Sequence, residues 1–299
     1  MSFEVTTNFV QQFKNTVDML VRQQGSILMG AVTVDPMVVG KSKFTEQIGA
    51  GVAVKSIARH ADTPLTPAPH RRRKYDLFDY RYVDLIDHAD KVRLLIDPEN
   101  PYVQAAKDAM GNAMDDEIIA AMTGDAKTGE DGTTTTVLPT SQKVAVDFVE
   151  SGAPANSGLT LGKLRQARKI LLVGNVDVKN EQLYCGCSPQ QLIDLLRVTE
   201  VTSADFNTVR ALVNGELDTY VGFKFIVGTR FAINTSTDVR KAVCWAKRGV
   251  ELGLGMEPTG RLTERADKNY SVQVFYMMTI GATRLQEEKV VEISCDESP

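Results

Sequence analysis

Chemistry in this chain would have to come from a few residue groups, and each is weak on inspection. Gly40-Lys41-Ser42 echoes the end of a phosphate-binding loop, in which backbone amides and a lysine hold phosphate and a hydroxyl holds magnesium. Asp35, however, stands where the first glycine must be. Gly158 to Lys163 has three residues between its glycines instead of four, and Leu164 replaces the required Ser or Thr. There is no G-x-S-x-G elbow and no H-E-x-x-H pair. General-base chemistry would fall to His60, His70 or His88, and an exposed or interfacial histidine is the simpler reading of each. Asp115, Asp116 and Glu117 are consecutive on a predicted helix, so they point in different directions and cannot converge on one metal. Cys185 and Cys187 could join Cys244 and Cys295 around zinc, but the usual two-residue spacer is missing, so buried, reduced strand thiols are expected. The sequence therefore predicts no catalytic residue, no cofactor and no metal.

A different kind of site is written in residues 55–82. Lys55 to Lys74 carries six basic residues and one acid, a balance of +5, whereas Asp76 to Glu99 carries seven acids and three bases, a balance of −4. Arg71, Arg72, Arg73 and Lys74 could be a solvated face, or a phosphate-binding patch weakened by the acids that follow. They could also pair with opposite charge on a second copy, a use of charge that sets register and partner choice. Tyr75, Phe78, Tyr80 and Tyr82 crowd the same stretch, and aromatics with arginine are what interfaces favour.

The elements that must carry this stretch can be read around it. Residues 44–58 read as extended, with Gly49 and Gly51 as flexible points. TPLTPAPH makes a proline-rich tip, and RRRKYDLFDYRYVDL returns as a strand, so the pair forms a long hairpin-like arm. Behind it lies a helix over 101–123. Asn100 is placed to cap it, Pro101 fits its first position, and Gly124 is placed to end it in a left-handed turn. Val103, Ala106, Met110, Ala113, Met114, Ile118 and Met122 make its apolar stripe, and 23 residues give a rod of roughly 35 Å.

Upstream, residues 8–24 predict an amphipathic helix stopped by Gly25. Downstream, Asp131-Gly132 is a turn and residues 151–158 are the clearest linker. Beyond it helices (Leu159 to Val173, Pro189 to Arg197) alternate with strands (Gln182 to Cys187, Val221 to Val227, Lys241 to Ala246). A long strand alternates from Tyr270 to Ile280, and KVVEIS precedes an acidic tail.

Composition narrows the class. The 299 residues are 43% hydrophobic and 24% charged, with net charge −4, which is an ordinary globular balance and not that of a basic nucleic-acid binder. The first residues, MSFEVTTNFV, show no basic stretch followed by an apolar core, so no secretory leader is expected, and no run of about 18 apolar residues would span a membrane.

The run LIDHADKVRLLIDPENPYVQAAKDAMGNAMDDEIIAAMTGDAKTGEDGTTTTVLP resembles the corresponding stretch of tailed-bacteriophage major capsid proteins with the Hong Kong 97-type fold. YSVQVFYMMTIGATRLQEEKVVEIS is similar to their ending. The resemblance implies an α+β fold with an N-terminal arm over 1–40, an extended β-hairpin loop over 41–83 and a peripheral domain over 84–158. An inserted α/β axial domain would cover 159–250, and peripheral return strands with the tail would cover 251–299. It implies a non-enzymatic subunit that assembles with itself, through pentamers and hexamers, into an icosahedral head around double-stranded DNA bound without sequence specificity. Because the arm begins almost at Met1, a separate scaffolding protein is expected. A portal is expected too, a decoration protein is a further candidate partner, and no membrane is involved. The expected location is the virion, with the host cytoplasm during assembly. Under this reading Arg59, Arg71, Arg72, Arg73, Lys74, Tyr75, Phe78, Tyr80 and Tyr82 are candidate contacts to a neighbouring copy. A nanocompartment shell protein and an unrecognised α+β enzyme are the alternatives.

Overall fold

The computed structural model describes residues 23–55, 65–86, 99–197, 219–231, 233–234 and 237–297. The helix expected over 8–24 therefore falls, but for its last two residues, outside the described residues.

Contacts divide the chain into two compact units, each assembled from separate stretches of sequence. The larger contains 27–78, 113–256 and 279–299. Its core is a seven-stranded sheet with the central order Val290–Asp296, Val239–Ala246, Leu183–Cys187, Phe223–Val227. The first three are antiparallel neighbours, and Phe223–Val227 runs parallel to Leu183–Cys187. That mixture follows from the connections: a helix lies between the two parallel strands, as a crossover requires. This helix, Pro189–Arg197, opens on a reciprocal cap in which Gln191 N–H donates to Ser188 Oγ (3.1 Å) and Ser188 N–H donates to Gln191 Oε1 (2.9 Å). The sequence marks the serine; the returning glutamine completes the box.

The helix Leu161–Val173 begins after Thr160, whose hydroxyl accepts from the Lys163 amide. Leu164, Ala167 and Leu171 fall on one face and pack among Cys185, Phe223, Cys244, Val291 and Ile293 in the main core. Burial of this face is the main stabilising term for an element whose polar side is solvated.

A second, four-stranded antiparallel sheet in this unit has the order Ser42–Ile48, His70–Asp76, Ala126–Thr128, Thr134–Thr136. Its last two strands are joined by a turn with Gly129 and Gly132 at positive φ, where the sequence places the Asp131-Gly132 turn.

A further sheet has the order Thr33–Pro36, Val250–Arg265, Ser271–Arg284, Phe78–Ile86. The return strand read from the sequence over 71–85 is thus two strands that belong to different sheets and break at Leu77. At Gly281 any Cβ would lie 2.2 Å from the Asp76 carbonyl oxygen, so only glycine allows the chain to turn from one sheet into the next.

The long helix spans Glu99–Thr123. It starts two residues before Pro101, so Asn100 and Pro101 both fall in its first turn. In the smaller unit (1–26, 79–112, 257–278) Ala106 packs with Ile86 and Val274, flanked by Tyr82, Val103 and Tyr276. In the larger unit Met114, Ile118 and Met122 are buried, in line with the stripe of threes and fours. Gly124 closes the helix without a left-handed turn: its N–H donates to Ala120 O at 2.8 Å.

Candidate assembly surface

The arm is rooted in the larger unit by buried polar chemistry. His70–Asp76 pairs with Ser42–Ile48 over seven residue pairs, and with Ala126–Thr128 through Arg73 and Lys74. Alternation along the strand then decides each side chain's fate. Arg73 and Tyr75 point inward and are each 2% exposed. Arg73 Nε donates to Leu285 O at 3.1 Å, and its guanidinium pairs with the Glu287 carboxylate, itself buried. The Tyr75 ring lies against Gly253, where a Cβ would meet it, and its hydroxyl donates toward Asp35 (3.3 Å) and Glu251 (3.5 Å). Burial first, then the Glu251 carboxylate beside it, pushes that phenol far above its ordinary value. Lys43 pairs with Asp35, and Thr45 Oγ1 donates to Glu251 at 3.1 Å.

This corrects two expectations. Arg73 and Tyr75, expected as contacts to a neighbouring copy, are interior residues of their own chain. The arm is not a thin ribbon without a core, because its root lies against Val250–Arg265. Tyr82 packs in part beside Ile86, Ala106 and Val274 and keeps some exposed surface.

The even-numbered residues occupy the other face. Arg72 and Lys74 sit over the Phe44 ring at 5.4 and 5.8 Å. Arg72 also donates to Glu46 (2.6 Å), and Lys74 reaches Asp76 at 3.6 Å. These cations stiffen the arm, although exposed pairs of this kind contribute only about 0–1 kcal/mol each. Arg71 is freer: its side chain is 54% exposed and lies 3.7 Å from Glu287. Phe78 is 55% exposed and Tyr80 half-buried. His70 is exposed. Arg59, His60 and His88 lie outside the described residues.

Past the last arm pair, Gly49 N–H donates to Pro69 O (2.7 Å), and beyond it the arm opens into an apolar end. Ile48, Val52, Val54 and Leu65 are 72%, 73%, 56% and 95% exposed, a concentration that a lone soluble subunit normally avoids.

The other sequence candidates resolve as structure. Asp115 accepts from the amides of Ile27 and Leu28, both at 3.1 Å, whereas Asp116 takes the Arg230 guanidinium, with Nε at 2.7 Å. The neighbouring carboxylates do point apart. All four cysteines are free and buried, and among the described residues no group of His, Cys, Asp or Glu is placed to hold a metal ion. Among the same residues no helix is long and apolar enough to cross a membrane.

Lys163, the lysine of the second false phosphate loop, is fully buried. Its Nζ donates to the carbonyls of Val146 (2.9 Å), Ser157 (2.6 Å) and Ser294 (3.0 Å). An ammonium has three N–H donors, and all three are used to tie three segments together. Arg284, also fully buried, donates to the carbonyls of Met122, Gly124 and Thr136. Burial lowers its affinity for the proton, and Glu287 opposes that effect. Sequence reasoning missed both residues, for neither stands in a motif that distinguishes it from a surface cation.

The architecture matches known proteins along its length. Residues 5–297 match the family described as Phage capsid protein. Among solved structures, the capsid of the cyanophage P-SCSP1u is 16% identical, with TM-score 0.76, and the alignment covers 100% of this chain and 96% of that one. The capsid of Ralstonia phage GP4 is 10% identical, with TM-score 0.73 and coverage of 98% and 97%. The capsid of a native GTA particle is 12% identical, with TM-score 0.70 and coverage of 98% and 97%. No curated protein sequence matches the chain.

Proposed function

Because the chain belongs to the phage capsid protein family, with its place in the shell of the virion head, we propose that copies of it associate as pentamers and hexamers that close into an icosahedral head around double-stranded DNA. Self-association in a shell is the family's mode of action; the ring sizes, the closure and the cargo are the proposal. The observation that carries it is the apolar, exposed end of the arm around Ile48, Val52, Val54 and Leu65. In a closed shell such a surface is covered by the next copy, and symmetry leaves no copy with an unsatisfied face.

Residues 41–83 act in this reading as the loop that overlaps a neighbour, residues 101–123 as the spine of the peripheral domain, and 159–250 as the axial domain. Arg71, Arg72, Lys74, Phe78, Tyr80 and Tyr82 are the contact candidates whose side chains retain exposed surface, and Arg59 remains one from its sequence. A separate scaffolding protein, a portal and a decoration protein are the proposed partners, with assembly in the host cytoplasm. Packaged DNA would be held without base readout, in keeping with the chain's net charge of −4. The role is structural and calls for no catalysis or cofactor.

The test is to express the full chain, with and without a scaffolding partner, and to image the largest size-exclusion fraction by negative-stain electron microscopy. Uniform hollow shells, or discrete pentamers and hexamers, are the expected result. A well-folded monomer or dimer under both conditions would overturn it.

A further inference from the structure

The strand Val250–Arg265 is longer than the partner on one of its sides. Thr33–Pro36 pairs with residues 251–254 and stops, and among the described residues no strand continues that side. Val38 N–H donates to Leu254 O at 2.9 Å, so the even-numbered residues aim their backbone groups at that edge. Continued along the strand, the same parity presents the carbonyls of Pro258, Gly260, Leu262 and Glu264, and the amides of the last three. Pro258 fits this assignment. It has no N–H, and on the open side it removes nothing from the ladder with Ser271–Arg284. Residues 257–264 are all exposed in the lone subunit.

The arm carries the matching deficit. Residues 50–55, AGVAVK, are exposed and belong to no helix or strand. Among the described residues none of their backbone groups hydrogen-bonds to another backbone group. Val52 and Val54 alternate with Gly51 and Ala53 at the period of a strand, and β-branched side chains suit one. An exposed apolar strand-former and an open edge are each an aggregation liability when alone, and each removes the other's when paired.

We infer that residues 51–55 of one copy add as a strand to the open edge at 258–264 of a second copy. This rests on the assembly reading above and specifies the chemistry of the arm contact as main-chain pairing. Charge supports it: Glu257 and Glu264 stand at the two ends of the exposed stretch, so either strand direction brings Lys55 near a carboxylate. Backbone ladders give affinity, and alternate side chains give register.

The test uses closed shells of the full chain. Val54→Cys is combined in turn with a cysteine at each position from Pro258 to Glu264, which covers both strand directions, then oxidised and run on a non-reducing gel. The four native thiols are buried and do not contribute. Multimer ladders at alternating positions are expected, because successive strand residues face opposite ways. Leu262→Pro, which removes only an edge amide, is expected to lower the yield of closed shells about tenfold. Cross-links confined to monomers, or none at any position in closed shells, overturn the pairing and leave the arm reading standing. Wild-type shell yield from Leu262→Pro overturns it equally. Failure of the unmodified chain to form any ring or shell overturns the assembly reading and this pairing with it.

Discussion

Arg284 Nη1 donates to the Gly124 carbonyl at 2.7 Å, across 160 positions of sequence, and so closes the end of the long helix from the far side of the chain. The last carbonyls of a helix have no partner within it. Here Arg284 takes Met122 O and Gly124 O together, and a cation at that end also suits the helix dipole. A glycine cap would end the helix locally; an arginine cap makes the ending depend on the tertiary fold.

Replacing Arg284 with methionine should therefore cost more than an average core change. The carbonyls of Met122, Gly124 and Thr136 lose their donor in a dry site, and the nearby Arg73–Glu287 pair loses a neighbouring charge. The expected loss is about 3 kcal/mol. Chemical denaturation of the soluble subunit measures it. A loss under about 0.5 kcal/mol, typical of surface positions, would contradict the capping role.

Neighbouring arginines on one strand should behave in opposite ways. Arg73→Glu puts a carboxylate against Glu287 in a buried site, so the subunit should misfold and its soluble yield collapse. Arg72→Glu alters a pair with Glu46 that is exposed on both sides, so the subunit should keep its circular dichroism spectrum and its melting midpoint while shell yield falls. Equal folding defects in both would mean that burial does not separate them.

The thiols give a third expectation. Burial pushes Cys187 far up and Cys295 up to about 12, so no reactive thiolate forms near neutral pH. An aromatic disulfide reagent should titrate close to no thiol in the native subunit, and all 4 after denaturation. Rapid native reaction would show that the sheet around Cys185 and Cys244 opens readily.

Legibility in the sequence followed the range of the interactions. The helix stripe, the Asp131-Gly132 turn and the strands near Cys185 and Cys244 rest on local period or turn chemistry, and the sequence displays them. So does the divergence of Asp115 and Asp116, which is helix geometry alone. The fate of Arg73 and Tyr75 was not legible, because it depends on Glu287 and Glu251 more than 170 positions away. Nothing in RRRKYD separates a surface arginine from a buried one until the strand parity and the facing carboxylates are known. The break at Leu77 was hidden for the same reason: only the approach of Gly281 to Asp76 shows why one apparent strand becomes two.

Lys163 provides the last expectation and ties it to pH. Lys163→Met leaves three carbonyls without a donor, which should cost about 2–3 kcal/mol near neutral pH. The wild type also has a pH term that the variant lacks. Burial lowers the lysine below its ordinary value of 10.5 in the folded chain, so between the two values the folded state holds fewer protons than the unfolded state. Stability rises with pH wherever the unfolded state binds more protons. The wild type should therefore gain on the methionine variant as pH climbs from neutrality toward 10.5. Tyr75, whose raised phenol works in the opposite sense near the top of that range, is common to both chains and cancels in the difference. Unfolding free energies of the pair at neutral and alkaline pH would show the gap widening. A constant or narrowing gap would mean that the folded subunit does not desolvate this ammonium.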